Sequence, residues 1–309
     1  MRFLFFTDLH LRQSAPRWRV GDYGEDLLQK LQAVVDIAAR EECEYLVFGG
    51  DFIDAWNVSL QLVNRAIDIL ADQSFKMLFV MGQHDMVAHT PALAWGSAIS
   101  LLKRALPEGA MTLDSLPFMR GPNFMAMNYY EGIEEEIRQG KLKEWGDVFA
   151  VTHTMIVKNP VPWSHILIEE IETEAKIVLS GDYHPGFPPT LHEGTWFINP
   201  GAIARVAITD AERPIQVALI DTEKLPDNPA VYLDIPHKPA EEVFNLEGYK
   251  ELQSKEEARG EYAEMLQQMV AGGHSSWEAM FQTAREEGII EKEVLDKAYS
   301  RCKEIAEGK

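Results

Sequence analysis

Apolar residues along the first eighty positions alternate between short solid runs and longer spaced stretches. Residues 2–7, built on Phe3-Leu4-Phe5-Phe6, predict a first strand. From Tyr23 to Arg40, Leu27, Leu28, Leu31, Val34, Val35 and Ile37 recur at helical spacing and predict a helix with one buried face. Tyr45-Leu46-Val47-Phe48 predicts a second strand, Leu60 to Ala71 a second amphipathic helix, and Met77-Leu78-Phe79-Val80-Met81 a third strand that stops at Gly82. This β-α-β-α-β order is the rhythm of a layered α/β sheet.

After a helix expected from about Leu93 to Arg104, the pattern shifts to shorter apolar runs. Phe124–Met127, Val148–Val151, Ile177–Ser180, Thr195–Ile198, Gln216–Ile220 and Val231–Leu233 predict strands, which a second sheet packed on the first would accommodate. Pro236 to Pro239 break the pattern, and charged, helix-favouring residues follow. The expected organisation is one unit over 1–235 and a helical region over 240–309. Ser275-Ser276-Trp277-Glu278 has capping-box spacing and predicts a helix start. The region is either a docking surface for a partner or a set of helices folded back on the core.

With 309 residues the chain can bury a full core. Its formal net charge of -20 argues against nucleic acid held by bulk electrostatics, because phosphate contacts draw their strength from Lys and Arg. Any nucleic-acid substrate must be gripped locally or with a partner's help. No apolar run approaches the roughly 20 residues that span a bilayer. Met1 to Phe6 is too short for a signal sequence, and the two cysteines, Cys43 and Cys302, belong to no metal-binding cluster. A cytoplasmic protein with free thiols and no membrane contact is expected.

The chemistry gathers at the ends of the predicted strands. Asp8-Leu9-His10, Gly50-Asp51, Gly82-Gln83-His84-Asp85, Thr152-His153 and Gly181-Asp182-Tyr183-His184 each follow an apolar run. Their polar ends would meet along one sheet edge, where open α/β folds place ligands. Mixed imidazole and carboxylate donors suit manganese, iron or zinc better than calcium or magnesium. Two ions about 3.5 to 4 Å apart clamp the oxygens of a displacement at phosphorus, and Asp51 is the natural bridge. Asp8 and His10, two apart on a segment expected to be extended, would grip one ion together. A water acidified towards a pKa of about 7 supplies a metal-bound hydroxide, so no Ser or Cys nucleophile is needed. His84 is the expected general acid, with Asp85 orienting it.

These segments resemble the calcineurin-like metallophosphoesterase superfamily, whose pattern runs DxH, GD, GNHD or GNHE, a lone His, then GHxH. Within it, Thr7-Asp8-Leu9-His10-Leu11, Gly49-Gly50-Asp51-Phe52-Ile53-Asp54 and Asn199-Pro200-Gly201-Ala202-Ile203-Ala204-Arg205 are most similar to SbcD-type DNA repair nucleases. The resemblance implies an αββα sandwich of two mixed sheets flanked by helices, with a C-terminal helical tail. It implies Asp8, His10, Asp51 and His184 around one divalent ion and Asp51, Gln83, His153 and Asp182 around the other. It further implies manganese as the metal, DNA as the substrate, and an SbcC-type coiled-coil ATPase bound through the C-terminal helices. A homodimer is left open.

Two residues depart from the pattern. Gln83 replaces Asn and pushes its amide oxygen outwards; Asp182 replaces the first His of GHxH and makes the second site more anionic and harder, favouring manganese or magnesium over zinc. Around the site, Arg12, Arg17, Trp18 and Arg19 form a basic, aromatic loop that would meet phosphates and stack on a base, or else lie as a solvated loop with one packed Trp. Tyr183 faces substrate or packs, and Arg205 would position a phosphate. The competing functions are a small-molecule or cyclic-nucleotide phosphoesterase and, against the retained His84, a scaffold whose site has decayed.

Overall fold

The computed structural model describes residues 1–71, 73–105, 118–120, 124–146 and 148–271, with short stretches between 279 and 300. The chain divides into two compact units, Met1–Phe244 and Asn245–Lys309. In the first, a five-stranded sheet has the order β13 (Ala230–Asp234), β12 (Gln216–Asp221), β1 (Arg2–Phe6), β2 (Tyr45–Phe48), β3 (Lys76–Phe79). A six-stranded sheet has the order β10 (Phe187–His192), β11 (Thr195–Asn199), β9 (Ile177–Ser180), β6 (Phe149–Thr152), β5 (Phe124–Met127), β4 (Phe118–Arg120). Both sheets are mixed: β1, β2 and β3 run parallel, β12 lies antiparallel beside β1 and β13 antiparallel to β12, while β5, β6, β9 and β11 run parallel between antiparallel edges. β7 (Ile156–Val157) and β8 (Ile166–Leu167) form a small separate pair.

Side-chain alternation along β1 sorts the layers. Leu4 and Phe6 join the core beneath α1 (Tyr23–Arg40) and α2 (Leu60–Leu70), whereas Phe3 and Phe5 join a core with Phe124, Val151, Leu179 and Ile198 of the other sheet. Each fully buried Phe contributes about 1.5–3 kcal/mol. The far face of the second sheet packs Met127, Ala150 and Val178 against Ile133 and Ile137 of α4 (Ile133–Arg138). The result is the αββα sandwich of two mixed sheets. α1 starts where the Asp22 side chain accepts from Glu25 N at 3.0 Å, with Glu25 and Asp26 in its first turn and Arg40 in its last, a charge order that suits the helix dipole.

The returning strands differ from expectation. Gln216–Ile220 and Val231–Leu233 do not extend the second sheet; as β12 and β13 they rejoin the first, β12 lying antiparallel to β1 with Phe3 opposite Ile220. A bridge between Thr7 and Ala202 has already brought the chain back to β1. The helix expected over Leu93 to Arg104 is a 3₁₀ turn over Pro91–Gly96 and a short α3 (Ile99–Ala105), separated where Ala98 N donates to Trp56 O at 3.0 Å. A short helix α5 (Ala240–Val243) closes the first unit. The second unit begins with α6 (Leu246–Ala271), and the expected capping box at Ser275 lies outside the described residues. Cys43 is a buried free thiol, and Cys302 also lies outside the described residues. Among the described residues no helix is long and apolar enough to cross a membrane.

Candidate metal centre

The C-terminal ends of strands from both sheets meet at one place. β1, β2 and β3 lead to Asp8 and His10, Asp51, and Gln83 and His84; β6 and β9 lead to His153, and Asp182 and His184. Contrary to the expectation drawn from two-residue spacing, Asp8 and His10 are not on extended backbone, and neither is Asp51. Their φ angles are 55°, 46° and 55°, and that of Asp182 is 71°, all left-handed. Asp tolerates this conformation better than most residues, at a cost of order 1 kcal/mol. The turn lets the chain swing each ligand inwards immediately after its strand, held by Asp8 N→Gly50 O at 3.0 Å and His10 N→Asp51 O at 2.9 Å.

The donors converge closely. His10 Nε2 and His184 Nε2 face each other at 3.1 Å, and Asp8 Oδ1 lies 3.8 Å from the first and 3.5 Å from the second. On the other side His153 Nε2 is 3.3 Å from Asp51 Oδ2, 3.9 Å from Asp182 Oδ1 and 4.0 Å from Asp8 Oδ1. Three triads have ligand atoms within 4.8 Å of one another: Asp8, His10 and His184; His10, Asp51 and His84; Asp8, Asp51 and His153. Asp8 Oδ1, Asp51 Oδ2, Gln83 Oε1 and His153 Nε2 are buried without a hydrogen-bond partner among the described residues. Buried polar atoms are nearly always satisfied, so four orphans pointing into one pocket are what a cation site requires.

The surrounding shell aims these atoms. His153 Nδ1 meets Gly49 O at 2.7 Å, which sets its tautomer and leaves Nε2 as the ligand atom. Asp8 Oδ2 accepts from Thr7 Oγ1 at 2.6 Å and Asp182 N at 3.2 Å, so only Oδ1 faces inwards. Asp51 Oδ1 accepts from His84 N at 2.9 Å. Close approach requires glycine at position 82, where a Cβ would lie 2.1 Å from Asp51 Oδ1, and at position 50, where φ is +103° and a Cβ would lie 2.3 Å from His153 Nδ1.

Burial raises the proton affinity of Asp182. For Asp8, burial acts the same way, but close His184, His153 and His10 overcome it and hold the carboxyl below its ordinary range. Asp51 is likewise held low against burial, chiefly by His153. Burial opposes charging of His153 and His184, yet Asp51 beside the first and Asp8 beside the second raise both. The pocket therefore has a strongly negative potential that draws in protons or cations. Its donor set, imidazole with carboxylate, fits first-row divalent ions.

Other expected site residues fall differently. His84 Nδ1 meets Asp54 O at 2.9 Å and its ring packs edge-on 5.1 Å from that of His10. Asp85 does not orient His84. Its fully buried carboxylate accepts from Ile53 N at 3.0 Å and Gly82 N at 2.9 Å, tying the β3 loop to the β2 loop. Burial, with Asp51 adding repulsion, pushes Asp85 up to about 7. Asp85→Ala leaves two buried N–H groups unpaired and should cost about 3 kcal/mol. Equilibrium urea unfolding with metal chelated measures this; an unchanged midpoint would remove Asp85 from that role.

Gln83 turns its amide nitrogen to Asp182 Oδ1 at 2.8 Å, so the two departures from the family pattern pair with each other. Sequence reading missed Asp54, the third residue after Asp51. Its carboxylate lies 3.5 Å from His10 Nδ1 and accepts from Arg12 Nη1 at 2.9 Å, while its carbonyl orients His84. Arg12 thus reaches the centre through Asp54. Arg17 is exposed and stacks over Trp18.

Arg19 does not meet substrate: it is buried, bonds Asp26 at 3.1 Å, and lies over Tyr23 and Phe244. Arg205 is also buried, with its guanidinium donating to the carbonyls of Ala211 and Lys238, so it positions no substrate phosphate. Tyr183 is partly buried against the core on the far face of the second sheet.

Solved structures similar to this chain include TT1561 of Thermus thermophilus, at 14% identity over 76% of this chain and 99% of that chain, with a TM-score of 0.47. A dimetal phosphatase from Danio rerio matches at 12% identity over 77% of this chain and 99% of that one, with a TM-score of 0.46. Yfce, a phosphoesterase from E. coli, matches at 14% identity over 76% and 100%, with a TM-score of 0.38. No curated protein matches the sequence. The family model of the calcineurin-like phosphoesterase superfamily domain matches residues 1–225, and the chain belongs to that superfamily.

Proposed function

We propose that this protein is a two-metal phosphodiesterase acting on DNA, the nuclease subunit of an SbcCD-like complex. The supporting observation is the set of orphaned donors, Asp8 Oδ1, Asp51 Oδ2, Gln83 Oε1 and His153 Nε2, turned into one pocket together with His10 and His184. Asp8, His10 and His184 would hold one divalent ion, and Gln83, His153 and Asp182 the other, with Asp51 between them. Bound there, such ions supply Lewis-acid charge to a phosphate and acidify a water.

The chain's own groups do the rest. The Asp54 carbonyl fixes His84 through Nδ1, leaving Nε2 to carry the proton given to the leaving oxygen. Arg12 holds Asp54 in place and adds positive charge at the rim. The DNA reading is supported by the nuclease-like segments around Asp8, Asp51 and Asn199 and by the exposed Arg17 stacked on Trp18. The second unit, Asn245–Lys309, which begins with α6, is the segment offered to a coiled-coil ATPase. Manganese is the proposed metal, because Asp182 brings a charged oxygen where the family pattern has a nitrogen.

A second reading, hydrolysis of a small phosphodiester, is favoured by the net charge of -20 and by the burial of Arg19 and Arg205. One assay separates them. The full chain with labelled linear and hairpin DNA and manganese should release nucleotides or nicked product, weakly with zinc. Turnover of bis-p-nitrophenyl phosphate with DNA untouched would select the second reading, and best activity with zinc would overturn the metal preference.

A further inference from the structure

Away from the metal centre, the first unit buries a second charged cluster that the reaction does not use. Arg19, Lys30 and Arg205 are 7%, 4% and 3% exposed, a rare condition for basic residues. With Asp26, Gln29, His237 and Lys238 they line a cavity of about 30 Å³ between α1 and the segment before α5. Both oxygens of Asp26 are engaged, by Arg19 at 3.1 Å and by Lys238 at 2.6 Å. Among the described residues neither Lys30 nor Arg205 has a carboxylate within ion-pair distance. Lys30 Nζ donates to Ile203 O at 3.0 Å, and among the described residues Nε of both Arg19 and Arg205 is buried without a partner.

Four basic side chains thus face one carboxylate around a cavity in a chain of net charge -20. Buried charge of one sign is strongly unfavourable unless a counter-charge sits beside it. Burial, with Arg19, Arg205 and Arg213 adding repulsion, pushes the Lys30 ammonium down to about 7. The cavity has room for about two water-sized groups, which admits a small inorganic ion and excludes a nucleotide.

We propose that Lys30, Arg19, Arg205 and Lys238 form a binding site for a small oxyanion of the phosphate and sulfate class. The ion supplies the missing counter-charge and ties α1 to the segment Ile203–Arg205. That segment also bonds the metal-bearing loop, Ile203 N to Thr7 O at 3.1 Å and Ala204 N to Asp8 O at 3.2 Å. The site thereby supports the backbone that carries Asp8.

The test is thermal unfolding of the full chain in chelator, titrated with phosphate, sulfate or chloride at constant ionic strength. Phosphate at a hundred times its dissociation constant should raise Tm by roughly 5 °C, saturably, and chloride should not. Lys30→Met, which keeps the side-chain volume, should abolish the saturable rise; Lys238→Ala, at a half-exposed position, should weaken binding about tenfold without threatening the fold. Asp51→Asn should respond as the parent does, which separates this site from the metal centre. The proposal is overturned if phosphate gives no saturable rise, if the rise survives in both cavity variants, or if it disappears in Asp51→Asn. A linear rise shared by every variant is general salt exclusion and equally overturns it.

Discussion

Asp51→Asn is expected to lower phosphodiester hydrolysis by at least about a thousandfold while the protein stays folded. The side chain belongs to two of the three triads, so its neutralisation weakens both of these and removes several kcal/mol of transition-state charge stabilisation, at about 1.36 kcal/mol per tenfold. Asn is the informative replacement. It keeps the acceptor for His84 N, now 2.9 Å from Asp51 Oδ1, and it tolerates the φ of 55°. The variant should also lose the rise in Tm that manganese gives the parent chain, because the ion no longer binds the folded state selectively. Turnover within tenfold of the parent, with the manganese response intact, would remove Asp51 from the centre of the site.

His84→Gln should lower kcat on DNA by about a hundred- to a thousandfold, the range expected when a positioned proton donor is lost. Metal content should not change. The discriminating measurement is the leaving group. A nitrophenolate departs without needing a proton, so bis-p-nitrophenyl phosphate should suffer a much smaller loss than DNA. His84 also belongs to a triad with His10 and Asp51, and an equal loss on both substrates, with metal depleted, would make it a ligand instead of an acid.

Much of the sandwich was legible because its inner strands and α1 are strongly patterned. Tyr45–Phe48 and Ile177–Leu179 are solid apolar runs buried on both faces, Phe124–Met127 is an apolar run buried except for a partly exposed Met125, and Tyr23–Arg40 carries a clean helical stripe. β10 was not legible, since Pro188 and Pro189 argue against a strand. It exists because it is an edge, with a register shift between Phe187 and Thr190 that absorbs them. Sheet membership was not legible either. Nothing in the apolar run of Gln216–Ile220 distinguishes a place beside β1 from one beside β11, and long-range pairing decides it.

At the site, residue types and their strand-end positions pointed to the loops that the fold brings together, because imidazole and carboxylate clusters have few other uses. Backbone handedness at Asp8 and His10 and the part played by Asp54 did not show, since neither leaves a mark in spacing. The basic residues Arg19 and Arg205 misled for a related reason. Their charge predicts exposure, whereas the fold wraps Arg19 between Tyr23 and Phe244 and caps two carbonyls with Arg205.

Asp8, His10, Asp51 and His84 descend from one sheet, while His153, Asp182 and His184 descend from the other. The jaws of this vice are thus two separate slabs, and their gap is set by the aromatic wedge between them, where Phe3 meets Phe124 edge-on at 5.3 Å and Phe124 meets Tyr45 at 5.2 Å. Thinning or thickening that wedge shifts one slab against the other and detunes every cross-sheet spacing at the rim without touching a single ligand. The hydrophobic interior therefore doubles as the calibration of the chemistry.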